Sequence, residues 1–197
     1  MILTKKKVSI GLLALVLLAG GTTYYSLVYN KVTTSTAAAR VVPYNDLQSL
    51  EREADLVLIG TPTEDFVNRE HKTTYYSGGK AGKTIQDVYT LTNFKVQKVI
   101  KSNGENFAFE DKTIQVVEPV GLVQELTGKK KFQFEDYSEM EKGKKYVVFL
   151  KKNTEGQYSV MSLAFGKYSL DTSDAQDITD IEKRETIKKE LKNKYQF

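Results

Sequence analysis

The apolar pattern of this chain falls into one long run followed by many short ones. Val8 to Val28, VSIGLLALVLLAGGTTYYSLV, is 21 residues without a charge. At about 1.5 Å per helical residue it reaches roughly 30 Å, the thickness of a bilayer core. Beyond it the pattern shortens and changes period. Leu56–Ile59 is a continuous apolar run inside ADLVLIGT, which predicts a strand buried on both faces, with Gly60 marking a bulge or a close backbone approach. Val88 to Ile100 alternates: Val88, Thr90, Thr92, Phe94, Val96 and Ile100 share one face, with Lys95 and Gln97 on the other. Thr113–Glu118 predicts a third strand, with Ile114 and Val116 inward and Val117 outward. Lys145–Leu150 predicts a fourth, followed by a hairpin through Asn153–Gly156 into Gln157–Val160 and a last strand over Leu163–Leu170.

Two segments have helical spacing. Leu47, Leu50 and Ala54 share a face behind a cap at Asn45 or Asp46. Ile181, Ile187, Leu191 and Tyr195 form a stripe near the C-terminus, where Lys188, Lys189, Lys192 and Lys194 complement the helix dipole. Glu64–Val67 could extend the preceding strand outward, Asn68–Lys83 reads as a polar loop, and Leu122–Lys142 shows little pattern beyond Phe132 and Phe134, which alternate with Gln133 as in a short strand. The sum is a mainly β domain of five to seven strands. It is expected to form a small antiparallel barrel with a leading short helix and a closing amphipathic helix.

Charge orients the long run. Lys5, Lys6 and Lys7 precede it and only Lys31 lies close behind, so the positive-inside rule keeps the N-terminus in the cytoplasm and exports the remainder. Tyr24, Tyr25 and Tyr29 fall where an interfacial aromatic belt would lie. A cleaved signal peptide is the competing reading, with small residues at Ala19 and Gly21. The length of the run favours an uncleaved, single-pass anchor in the cell membrane over secretion. The expected organisation is an anchor or signal over 1–28, a stem linker over 29–42, and an extracytoplasmic barrel domain over 43–197.

The whole chain carries a net charge of +4, all of it from those four lysines, which leaves 25 basic and 25 acidic residues behind them. A neutral exported domain is a poor nucleic-acid binder. The absence of cysteine removes disulfides, thiol chemistry and thiolate metal sites. Twelve tyrosines and nine phenylalanines, without tryptophan, suit strands.

ADLVLIGTPTE (Ala54–Glu64), TLTNFKVQKVIKS (Thr90–Ser102) and GKKYVVFLKK (Gly143–Lys152) together resemble a loose family of exported Gram-positive proteins of unknown role. More distantly they resemble netrin-like and metalloproteinase-inhibitor domains. The resemblance implies a five-stranded OB-like barrel over roughly Ala54–Leu170 and carries no activity with it. The inhibitors reach a protease zinc through an N-terminal cysteine, which this chain lacks.

Candidate chemistry is sparse. Ser77–Thr84, SGGKAGKT, lacks the first glycine of a phosphate loop and precedes a strand rather than a helix. His71, the single histidine, has polar neighbours and reads as a solvated loop residue without zinc partners or a serine to serve as base. Asp171, Asp174, Asp177 and Asp180 recur every third residue but lack the calcium-loop order, and helix-start acids explain them. Glu135, Asp136, Glu139 and Glu141 lie near Lys129–Lys131 and read as a mixed-charge loop. No catalytic, cofactor or metal residue is therefore assigned. The expected function is a non-enzymatic, membrane-anchored binding domain for a protein or envelope partner. Its contact surfaces are expected at 68–83 and 122–142, because long excursions tend to carry function. The alternatives are an exported cell-wall or peptide hydrolase, or an inhibitor that works without zinc chelation.

Overall fold

Strand pairing in this protein is organised by a few long apolar strands. The computed structural model describes residues 19–39, 44–76, 84–103, 111–134, 137–171 and 181–195. The elements in chain order begin with a helical segment over 19–24 that ends in a wider π turn at Tyr25–Tyr29. Strand β1 (Val32–Ala37), helix α1 (Leu47–Glu53) and strand β2 (Leu56–Pro62) follow. Next come a 3-10 turn (Phe66–Asn68), β3 (Glu70–Tyr76), β4 (Thr84–Ser102), β5 (Thr113–Glu118), β6 (Val120–Glu125) and β7 (Gly128–Phe134). The chain closes with β8 (Tyr146–Lys152), β9 (Tyr158–Val160), a second 3-10 turn (Leu163–Gly166), β10 (Lys167–Ser169) and α2 (Ile181–Tyr195).

Five of the strands close a barrel in the order β2–β4–β5–β9–β8 and back to β2. All its pairings are antiparallel except the single β5–β9 contact, Val117 with Ser159. Strand β3 continues the ladder along β4, and β10 continues it along β8. A separate three-stranded sheet runs β1–β7–β6.

The double-sided burial read from LVLI and YVVFL has a direct cause. Leu56 and Leu58 of β2, with Tyr146, Val148 and Leu150 of β8, join Phe94, Val96 and Val116 in one core. Val57 and Ile59, with Val147 and Phe149, face the opposite way into a second core. Helices α1 and α2 cover that second core with Leu47, Leu50, Ile187 and Leu191. Each such side chain contributes about 1.5–3 kcal/mol through burial. The helices are also strapped together. Glu190 Oε2 accepts from the Leu47 amide at 2.8 Å, and Glu51 accepts from Lys194 Nζ at 2.5 Å and from the Tyr195 hydroxyl. Asp46 caps α1 by accepting from the Ser49 amide at 2.6 Å.

Gly60 is both a bulge and a close approach. The β2–β4 register shifts beside it, and a Cβ there would lie 2.2 Å from the Lys95 carbonyl oxygen.

Several expectations change. Residues 32–37, read as part of a stem, form β1, an exposed strand that shows no alternation because neither face is buried. Glu64–Val67 does not extend β2; it leads into the 3-10 turn. The supposed loop after Asn68 contains β3; in 122–142 the short strand expected at Phe132–Phe134 is the end of β7, which is longer and pairs with β6 as a hairpin. Leu163–Leu170 begins as a 3-10 turn, with Ser162 and Leu163 at positive φ, before the short β10. The described strands number ten against the five to seven expected, because edge strands bury too little to show a period. No helix among the described residues is long and apolar enough to cross a membrane, and residues 1–18 of the N-terminal region lie outside them.

Candidate functional site

The deepest polar cluster was missed in the sequence. Glu118 ends β5, where the inward parity of Ile114 and Val116 places it inside. Its Oε1 accepts from Arg69 Nη1 at 2.8 Å and from the Thr92 hydroxyl; its Oε2 accepts from the Tyr137 hydroxyl and the Met140 amide, each at 2.8 Å. Arg69 uses all five of its N–H groups. Nε and Nη2 donate to the Glu64 carbonyl at 3.0 and 2.8 Å, Nη2 also to the Met140 carbonyl at 2.6 Å, and Nη1 also to Thr92 Oγ1 at 3.3 Å. Burial pushes the Tyr137 hydroxyl well above its ordinary pKa, and the Glu118 charge adds to this, so it remains a donor. A buried carboxylate could serve as a general base, but this one has no acceptor capacity left for a substrate proton. The cluster is a structural joint between the turn before β3, the end of β5 and segment 137–140.

His71 is not the solvated loop residue expected. It lies on β3, half-buried, edge-on to the Phe66 ring at 4.9 Å. Thr90 Oγ1 donates to the Val120 carbonyl at 2.6 Å, so it must accept from His71 Nδ1 at 2.8 Å, and this network places the neutral proton on Nδ1. Burial lowers its pKa; the Arg69 and Lys129 charges add to that, while a Phe66 backbone contact opposes it.

The other residues singled out in the sequence do not converge. Lys131 pairs with Glu139, and Lys144 with Glu141 at 2.8 Å. Asp171 accepts from the Lys145 amide at 2.5 Å. Glu135, Asp136, Asp174, Asp177, Asp180 and the 77–83 segment lie outside the described residues. Among the described residues no group of three or more histidine or carboxylate side chains could hold a metal.

A groove runs along β4. Thr90 and Leu91 pair with β3 on one side and with β5 on the other, so the two neighbours occupy opposite edges of β4. The β5 ladder stops at Thr90–Glu118 because Pro119 follows and cannot donate. The chain then turns into β6. Gly121 still touches the backbone of Tyr89, where a Cβ would lie 3.1 Å from its carbonyl oxygen. Beyond that, Thr84–Asp87 has no strand neighbour on this edge among the described residues.

Two adjoining cavities flank this edge. One, of about 230 Å³, is lined by Ser35 and Ala37 of β1, Ile85–Val88, Pro119 and Phe132–Phe134 of β7. The other, of about 590 Å³, runs past Thr74, Tyr89 and Val117 to Asn153, Thr154, Glu155 and Ser159. They share Gln86, Asp87, Pro119 and Phe134. Among the described lining residues only Asp87 and Glu155 are charged; the others are aliphatic (Ile85, Val88, Val117, Val160), small, amide, hydroxyl or aromatic side chains. Such a lining offers hydrogen bonds and stacking, with no paired acid and base. The anticipated contact surfaces contribute Thr74 from 68–83 and Phe132–Phe134 from 122–142.

No protein-family model matches the chain, and no curated protein matches it.

Proposed function

We propose that this chain is a non-enzymatic, membrane-anchored binding domain on the outer face of the cell membrane, and that the β4 groove takes an extended segment of a protein or envelope partner. One observation carries the reading: a strand edge at Thr84–Asp87, without a neighbour among the described residues, lies beside a groove of mostly uncharged apolar, polar and aromatic residues. An added strand gains main-chain hydrogen bonds from such an edge, and alternate side chains find pockets on either side. The anchor rests on the uncharged run Val8–Val28 behind three lysines. The OB-like reading is supported by the ring order with its one parallel contact between the third and fifth barrel strands.

The test is a photo-crosslinking residue at Gln86, which is exposed, in cells producing the full chain. A discrete adduct at Gln86, absent when the probe is placed at exposed Lys189 on α2, is the expected result. A correctly inserted chain that gives no adduct at Gln86 overturns the reading.

A further inference from the structure

The N-terminal helix and the β6–β7 hairpin share one end of the molecule. The Tyr24 hydroxyl donates to the Leu126 carbonyl at 2.5 Å, and Gln124 Nε2 donates to the Tyr29 carbonyl at 3.2 Å. The Lys129 amide donates to the Lys31 carbonyl at 2.7 Å, and from there β1 pairs with β7 in continuous register. Gly128 makes this approach possible: it sits at φ +129°, and a Cβ would lie 2.5 Å from Lys31 O and 3.0 Å from Val28 O. The helix therefore passes into the folded domain through fixed hydrogen bonds, with no free linker between them.

This junction carries the most exposed large apolar side chains nearby: Leu126 at 84%, Leu27 at 68%, Tyr25 at 59% and Tyr24 at 45%. Tyr25 stacks on Tyr29 at 5.6 Å. Lys31 and Lys129 flank the group. Leucine at a hairpin tip costs solvation unless something apolar receives it. Tyrosine rings with a wet hydroxyl, next to lysines, are the composition of a membrane–water interface. The sequence preceding Ala19 is uncharged back to Val8, with Ser9 its one polar residue, so the chain arrives at this junction from a segment suited to hydrocarbon.

We propose that the β6–β7 hairpin tip is a lipid-contacting foot, with Leu126 resting in the outer head-group layer beside Tyr24, Tyr25 and Leu27. This rests on the membrane-anchor reading above and adds to it a fixed height and orientation for the domain. Strand β1 rises directly from the foot to Ser35 and Ala37, which line the β4 groove, about 13 and 20 Å along the strand at its usual rise. The groove is thereby held at a set distance from the bilayer.

The absence of tryptophan from the chain makes the test direct. The full-length L126W protein is reconstituted into phosphatidylcholine–phosphatidylglycerol vesicles, with T154W, at the exposed tip of the distal hairpin, as control. Both sites are exposed, so neither substitution disturbs the core. The expected result is blue-shifted emission from L126W and strong quenching by acyl-brominated lipid, greatest for bromines near the head-group end, since interfacial insertion reaches about 5–10 Å. T154W should show neither effect. Protein that floats with the vesicles while L126W behaves like T154W overturns the foot and leaves the anchor standing. Protein that fails to float overturns the anchor and the foot together.

Discussion

Arg69 Nη1 lies 2.8 Å from Glu118 Oε1, and both side chains are fully buried. A buried ion pair is a weak source of net stability, because two charges must leave water. Here every donor of Arg69 finds an acceptor, and Glu118 accepts four hydrogen bonds. The arrangement gives geometry: it ties segments from Glu64 to Met140 to one point beside the barrel core.

Removing either partner strands the other charge. R69A and E118A are each expected to destabilise the protein by about 3–5 kcal/mol. The double variant should cost clearly less than the sum, since the two share one network. Denaturant titration of the purified single and double variants checks this; strict additivity would show that the pair is not coupled.

His71 should make the fold acid-sensitive. Its folded pKa is held below the ordinary 6.5, so the unfolded chain binds the proton more readily. Its contribution is complete above the unfolded value and is lost as pH falls through and below it. Between about pH 7 and about pH 5, the melting temperature of the wild type should fall more than that of H71N, whose amide can still donate to Thr90. Parallel curves for the two proteins would refute the assignment.

Two glycines separate space from conformation. In G60A the new methyl meets the Lys95 carbonyl and the Phe94 ring, and overpacking against backbone should cost about 3 kcal/mol. Gly143, at φ +74°, has open space around it, so G143A should cost only about 1 kcal/mol through backbone strain. Thermal melts of both variants test the ranking.

Lys101 closes the C-terminal end of α1. Its Nζ donates to the carbonyls of Glu51, Arg52 and Ala54 at 2.6, 3.2 and 2.5 Å. K101M keeps the stem but loses the donors, with an expected cost of about 1 kcal/mol. The readout specific to this role is faster amide exchange within α1, with the barrel strands unchanged.

Legibility followed burial. Strands β2 and β8 could be read because both of their faces are covered, so every residue of LVLI and YVVFL had to be apolar. Strand β4 could be read because its buried face alternates with an exposed one. Helix α2 was visible through Ile187 and Leu191, although Ile181 in the same stripe proved exposed. Strands β1, β3 and β7 left little trace, because they satisfy backbone groups at sheet edges without burying a full face. Glu118 had a signal in its parity with Val116. Arg69 had none: a buried arginine after a turn looks like any surface arginine until its four acceptors are assembled.

The one-dimensional pattern by itself determined the uncharged N-terminal run, the β-rich class, the core strands, a helix cap at Asn45 or Asp46 and the closing helix. Each of these depends on neighbours within a few residues, where periodicity and capping operate. The closure of the barrel through β8 and β9, the Arg69–Glu118 joint and the edge of β4 left without a neighbour among the described residues were decided only by tertiary structure. They join residues far apart in the chain, and their energies come from desolvation and hydrogen-bond satisfaction, which no local pattern records.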